Sequence, residues 1–372
     1  MARNRVIYQS EAIYASKDAT STGTGDHESL ERVQSANYSF NISRQDVNQF
    51  GQLGKVGSMV LEAPTVSMDT SYLLTDGFNE RALGFYVQNG AGSSGSFISG
   101  HLNDGSGRNF YILTVGEGSD ATGLSGTVTD DVIGIGNAYL TDYTLDLAVG
   151  SLPTVSVSFE AANINASVGG LISGTSGHSN IALPSVSQAA GTPLDGFVKL
   201  PPVSSGVSSL IALRPGDIKV NIANMDDTTF VDLAPDFGGD SAHIQSASLS
   251  IPLSRSPLQR LGTKYSYARA VDFPIQATLS VNAIVNELTA RNLSTIIDNE
   301  SGYTITLTLN NEEGTKAIEY TIKGAQIQSE SFSSSIGSNK SVDLTFVTSV
   351  GGPNDLLNGV FVSGANTSAL YA

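Results

Sequence analysis

Four histidines, His27, His101, His178 and His243, are the side chains best suited to proton transfer or metal ligation. Each falls in a loop or at a loop edge with no second ligand type at metal spacing, so solvated histidine is expected. Asn103-Asp-Gly-Ser-Gly107 has the Asp-Gly of a calcium loop but not the further carboxylates that a hard cation takes. Gly134-Ile-Gly136 lacks the Lys-Ser/Thr signature and following helix of a phosphate cradle. Serine is abundant, yet no histidine sits on a suitable neighbouring element to activate one. No catalytic residue, metal or cofactor is expected. One charged constellation recurs: Arg44 with Glu62, and Arg255 with Asp272. On strands joined by one hairpin, each would form a cross-strand or interface ion pair worth about 0.2–1 kcal/mol if exposed; the other reading is a coincidence of surface charge.

The recurrence of that constellation follows from a repeat in the chain. Val33 to Gly51, VQSANYSFNISRQDVNQFG, matches Ile244 to Gly262, IQSASLSIPLSRSPLQRLG, at a constant offset of 211. Gln34, Ser35 and Ala36 fall on Gln245, Ser246 and Ala247, while Tyr38, Phe40 and Ile42 fall on Leu249, Ile251 and Leu253. Tyr38, Phe40 and Ile42 alternate with Ser39, Asn41 and Ser43, the period of a strand with one buried face. After one deleted residue the offset is read as 210, placing Glu62-Ala-Pro64 on Asp272-Phe-Pro274 and Asn79 to Leu83 on Thr289 to Leu293. A third block, Val149 to Phe159, matches Ile336 to Phe346 at an offset of 187. Three collinear matches mark a tandem duplication of one antiparallel β unit.

Composition agrees with an all-β fold. Gly is 39 of 372 residues and charged residues are only 15%, which suits many short strands, tight turns and a neutral polar surface. Net charge is −16, with 18 acidic and 8 basic residues in 1–165 and the rest of the excess beyond, so neither half is a basic module for gripping phosphates. Absence of Cys excludes disulfides and thiolate metal sites. No apolar run has the length of a signal peptide or a membrane helix, and no membrane partner is expected.

The units are placed at 1–165 and 209–350, each with one short helix, Asp76 to Phe85 and Asn286 to Asp298. Residues 166–208, rich in Ser, Gly and Pro, read as a connector or exposed insertion, and 351–372 as a C-terminal tail. Long hairpin tips, Gln45 to Ser58 and Ser256 to Tyr267, carry Val47, Phe50 and Leu53 in one unit and Leu258, Leu261 and Tyr265 in the other. Apolar residues on a tip need another surface to cover them, so these six are the candidate contacts between assembled copies.

At the matched blocks the chain resembles a tailed-bacteriophage tail tube protein. The features are the strand Ser35 to Arg44, the tip after Phe50-Gly51, the return strand with its helix, and Ala138 to Phe159, AYLTDYTLDLAVGSLPTVSVSF. The resemblance implies two sandwich- or barrel-type units lending strands to a large β-barrel between subunits. It further implies trimeric, pseudo-hexameric rings stacked as a homo-oligomer, tape measure and terminator or baseplate partners, and a virion tail location after assembly in the host cytoplasm. Double-stranded DNA would pass through without specific binding. A two-domain adhesive or carbohydrate-binding surface protein is the other reading; it would favour exposed aromatic clusters in a cleft, and the chain has no Trp.

Overall fold

A computed structural model of the chain describes residues 11–89, 95–102, 107–116, 121, 129–171, 177–203, 212–223, 243–284, 302–337, 339–352 and 355–364. The chain is mostly β. It opens with β1 (Glu11–Ser16), β2 (His27–Ser29) and β3 (Val33–Asn41), then the hairpin β4 (Arg44–Val47) and β5 (Gly57–Val60), and returns as β6 (Thr65–Leu73). Next come α1 (Phe78–Ala82), β7 (Val87–Asn89), α2 (Ser99–Leu102), β8 (Arg108–Thr114), β9 (Thr129–Ala148) and β10 (Thr154–Ala161). Strands β11 (Asn163–Leu171), β12 (His178–Ala182), β13 (Val186–Ser187), β14 (Thr192–Pro193) and β15 (Phe197–Leu200) end the first half. The second half holds β16 (Ile218–Ala223), β17 (His243–Pro252), the hairpin β18 (Arg255–Leu258) and β19 (Ala268–Val271), and β20 (Ile275–Ile284). It finishes with β21 (Tyr303–Asn310), β22 (Lys316–Ser333), β23 (Ser341–Val350) and β24 (Gly359–Gly364).

The two halves pair their strands in the same order. In the first, β3, β6, β10 and β9 lie side by side, all antiparallel. In the second, β17, β20, β23 and β22 do the same. Registers agree as well: Ala36 faces Thr70 as Ala247 faces Val281, and a bulge follows Val33 as it follows Ile244, at the identical Gln-Ser-Ala. A second bulge falls at Ser158/Phe159 and at Thr345/Phe346. Strand β9 then pairs with β17, joining the two arrays into one eight-strand sheet.

These registers correct the alignment after the hairpin. Arg44 faces Val60 and Arg255 faces Val271, so the offset stays at 211 throughout β6 and β20 and no residue is deleted. Val66, Met68, Thr70 and Tyr72 are buried, as are their counterparts Ala277, Leu279, Val281 and Ala283. A shift to 210 would lay buried residues on exposed ones, because one step along a strand changes the face.

Strands β9 and β22 each run through two sheets. The first part of β9 pairs with β8 and β11, extending through β1, β2, β12 and β15 into an outer sheet. The first part of β22 pairs with β21 and β24, which β16 and, in parallel, β7 extend. One apolar core lies between the eight-strand sheet and these outer sheets and includes residues from both halves. Among the described residues no sheet closes on itself into a barrel.

Three segments differ from expectation. Residues 178–200 are a structural layer rather than an exposed connector: Ile181, Val198 and Leu200 are buried with Tyr111, Leu113 and Val132 in a second core. Burying each is worth about 1.5–3 kcal/mol. Gly136 permits the close approach, since a Cβ there would lie 2.3 Å from the Pro184 carbonyl oxygen. Residues 359–364 are a buried strand rather than tail, paired with β22 as β11 is paired with β9, so the second unit extends past 350. The first helix is shorter than expected, with Gly77 at its N-cap at φ 90° and the Asp76 carboxylate accepting the Phe78 amide at 3.3 Å. The second unit's helix, Asn286 to Asp298, lies outside the described residues, as does most of Asn103 to Gly107.

Candidate assembly surface

The eight-strand sheet buries one face and exposes the other. Along β10, Val155, Val157 and Phe159 point into the core, leaving Ser156 and Ser158 outside; along β17, Ala247, Leu249 and Ile251 point in, leaving Ser248 and Ser250. None of the residues in β3, β6, β10, β17, β20 and β23, or in the parts of β9 and β22 within this sheet, is Lys or Arg. The charges on the outer face are carboxylates, and neighbouring strands hold them. Asp69 accepts from Ser158 Oγ at 2.7 Å, Asp146 from Ser248 Oγ at 2.6 Å, and Asp343 from Asn282 Nδ2 at 2.6 Å. Asp142 accepts from Thr144 at 3.0 Å, while desolvation, the larger influence, raises its pKa. The hydroxyl and amide groups are thus turned towards these carboxylates, leaving a polar, weakly acidic surface to which the strands contribute no cation; Glu160, at one end of β10, is met by Arg269 of the second hairpin.

Among the described residues both ends of this sheet are open: strand β3 pairs with β6 on one side only, and Gln326–Ser333 of β22 pairs with β23 on one side only. Such edges are templates for pairing with a further strand. Their core-facing side chains are uncovered too: Tyr38 is 41% exposed, Phe40 61% and Phe332 41%. At the internal junction of β9 with β17, the equivalent Leu249, Ile251 and Leu145 are 1%, 0% and 0% exposed. Residue type and face are alike; a neighbouring strand makes the difference.

The hairpins hold the candidate contact residues. Val47, Phe50 and Leu53 on the first, and Leu258 and Leu261 on the second, are exposed. Tyr265 is half-buried and lines a groove of about 710 Å³ between 259–265 and 60–64. The second hairpin also rests on the first half. Arg255 donates to the His101 carbonyl at 2.6 Å and lies over the Tyr139 ring, Arg269 pairs with Glu160, and Arg260 donates to the Ala189 carbonyl.

Neither repeated charge pair is among the cross-strand ion pairs of the described residues. Arg255 is drawn away to His101 and Tyr139, while Asp272 accepts Ser256 Oγ at 2.9 Å. Arg44 is the counterpart of Arg255, but Glu62 is not the counterpart of Asp272 at the true offset. Both Arg44 and Glu62 lie at the exposed hairpin and its return.

The histidines are buried where solvated loops were expected. His27, His101 and His178 are at most 2% exposed. His178 Nε2 lies 2.9 Å from Asp130 Oδ2, tying β12 to β9. Desolvation, with Arg108 and Arg255 nearby, holds His101 well below its ordinary pKa. A lone histidine has no periodic pattern, so only the packing of the added strands reveals this burial. His243 side-chain surroundings lie outside the described residues.

A further buried group is one the sequence pattern does not mark: Glu80, whose carboxylate accepts the Tyr72 hydroxyl at 2.8 Å in a core cluster with Tyr143 and Tyr320. Its place on a short helix gave no sign of burial, though the apolar residues two before and two after it, Phe78 and Ala82, lie on the helix's core side. Among the described residues no group of three or more His, Asp or Glu side chains could hold a metal ion. No helix there is long and apolar enough to cross a membrane. Compared with known families and characterised proteins, the sequence matches no family model and no relative.

Proposed function

We propose that this chain is a structural subunit of a tail tube of the tailed-bacteriophage type, non-enzymatic, polymerising as stacked rings of three chains into a hollow conduit for double-stranded DNA. The two repeated four-strand arrays are the tube-type units, and the exposed face of the eight-strand sheet lines the channel. The observation that carries this reading is that face: eight strands wide, open at both edges, polar, and without Lys or Arg in its strands.

A duct for DNA must not hold it. Phosphate affinity grows with each cation that contacts the backbone, so a lining of Ser, Thr, Asn and restrained Asp gives DNA nothing to bind and a weak repulsion that salt screens. Joining sheet edges between chains removes an aggregation hazard, and a barrel of many strands leaves an open lumen. Tape measure and terminator or baseplate proteins are the expected partners, and the virion tail the place of action.

Electron microscopy of concentrated protein tests the reading: rings and hollow tubes are expected, and a persistent monomer overturns it. Assembled wild-type protein should retain duplex DNA no better than an acidic control, whereas Ser71→Arg with Ser280→Arg should add binding that falls steeply with salt. Tight, salt-dependent binding by the wild type would overturn the conduit.

A further inference from the structure

We propose that the open edge of β3 receives Ser329–Ser333 of β22 from a second copy of this chain, in the register that β9 and β17 already adopt within one chain. The proposal rests on the assembly reading above and names its seam.

The template is internal. In the junction of β9 with β17, Asp146 faces Ser248, Leu145 faces Leu249, and Tyr143 faces Ile251. Strand β22 repeats β9 at an offset of 187, bulge included, and β17 repeats β3 at 211. Transferring both offsets sets Ser333 opposite Asn37, Phe332 opposite Tyr38, and Glu330 opposite Phe40. On the core side, two exposed aromatic rings then cover each other where two leucines do so inside the chain. On the outer side only Ser and Asn meet, so the cation-free face continues across the seam unbroken.

The hairpins support the same placement independently. Strands β18 and β19 lean on the half that their neighbour β9 belongs to, through Arg255, Arg260 and Arg269. Their counterparts β4 and β5 are exposed throughout. A second copy docked on β3 would bring its second half beneath that hairpin, with Gln326 at the position that Tyr139 holds under Arg255. The transfer is imperfect at one place. Glu330 stands where Tyr143 stands inside, so the seam between copies is less apolar than the junction within one, as befits a contact made after folding.

The chain has no Cys, which permits disulfide trapping. Directly opposed residues of antiparallel strands lie about 4.5–5.5 Å apart at Cα, within disulfide reach, whereas a partner two residues away is not. Oxidised assemblies of the Asn37→Cys, Ser333→Cys variant should give reducible covalent multiples of 38.7 kDa. The Asn37→Cys, Ser331→Cys variant should not, and Asp146→Cys with Ser248→Cys should cross-link within one chain. In the wild type, the amides of β3 should exchange hydrogen about tenfold more slowly once the protein is concentrated, a readout that needs no substitution. Tubes without the in-register cross-link, or with the shifted pair trapped equally well, or with unchanged exchange in β3, overturn the seam and leave the conduit standing. A monomer at all concentrations overturns both, and the cross-link in assemblies that are not hollow supports the seam and overturns the conduit.

Discussion

Tyr143 and Tyr320 stand 177 residues apart in sequence, yet their hydroxyl groups share a 2.8 Å hydrogen bond in the core. Both are fully buried, and Phe97 presents its ring edge-on to each. One phenol comes from β9 and the other from β22, so the two halves are fastened by their longest strands. Replacing Tyr320 by Phe keeps the shape but leaves the Tyr143 hydroxyl short of a partner, at a cost of about 1–2 kcal/mol. Urea unfolding of dilute protein should show this loss for Tyr320→Phe, whereas Tyr38→Phe, at an exposed edge, should stay within about 0.5 kcal/mol of wild type. Equal effects from the two would mean that the buried bond contributes nothing.

Glu80 in the same cluster predicts a pH dependence. Burial is the main cause that pushes its carboxyl up to about 7; Asp76 adds repulsion, and hydrogen bonds from Tyr72 and Tyr143 oppose the rise. In the unfolded chain the group ionises near 4.5. Below that value both states hold the proton and Glu80 adds no slope. Between there and about 7 the unfolded chain releases a proton that the folded chain keeps, so stability falls as pH rises, by on the order of 3 kcal/mol in all. Glu80→Gln should shrink the difference in unfolding free energy between pH 5 and pH 8. An unchanged difference would place the titration elsewhere.

In the proposed tube the hairpin tips would carry the stacking of rings. Phe50, Leu53 and Leu261 are fully exposed, so their substitution leaves the core untouched. Burying half of such a side chain is worth roughly 1 kcal/mol, and several per ring suffice to hold a stack. The combined Phe50→Asp, Leu261→Asp variant should melt like the wild type and form rings that do not stack. Tubes of normal length, or an unfolded variant, would reassign the tips to solvent or to the core.

Much of this was legible in the sequence because alternation records a face. Gln34-Ser35-Ala36 and Gln245-Ser246-Ala247 are identical and carry the same bulge, and the strands around them are where the alternation placed them. The alignment slipped at Pro64 and Pro274 because those prolines sit in loops, where backbone geometry rather than facing selects the residue. Residues 178–200 looked like a connector because short strands bury only one residue in two, so Ile181, Val198 and Leu200 are lost among polar neighbours. That the units have unclosed edges was expected, but which strands form them was not legible. Tyr38 and Leu249 read alike as core-facing residues, and only the position of the next strand separates a covered side chain from an uncovered one.

The internal junction of β9 with β17 also has a kinetic consequence. Two repeats on separate chains would have to find each other by diffusion, at a rate set by protein concentration. On one chain the encounter is intramolecular, and it is complete once the chain has folded. In the proposed ring of three chains, half of the edge contacts would then be made before any two molecules meet. Nucleation of the proposed assembly would depend on a correspondingly lower power of concentration, and its threshold would be reached sooner than with the halves produced apart.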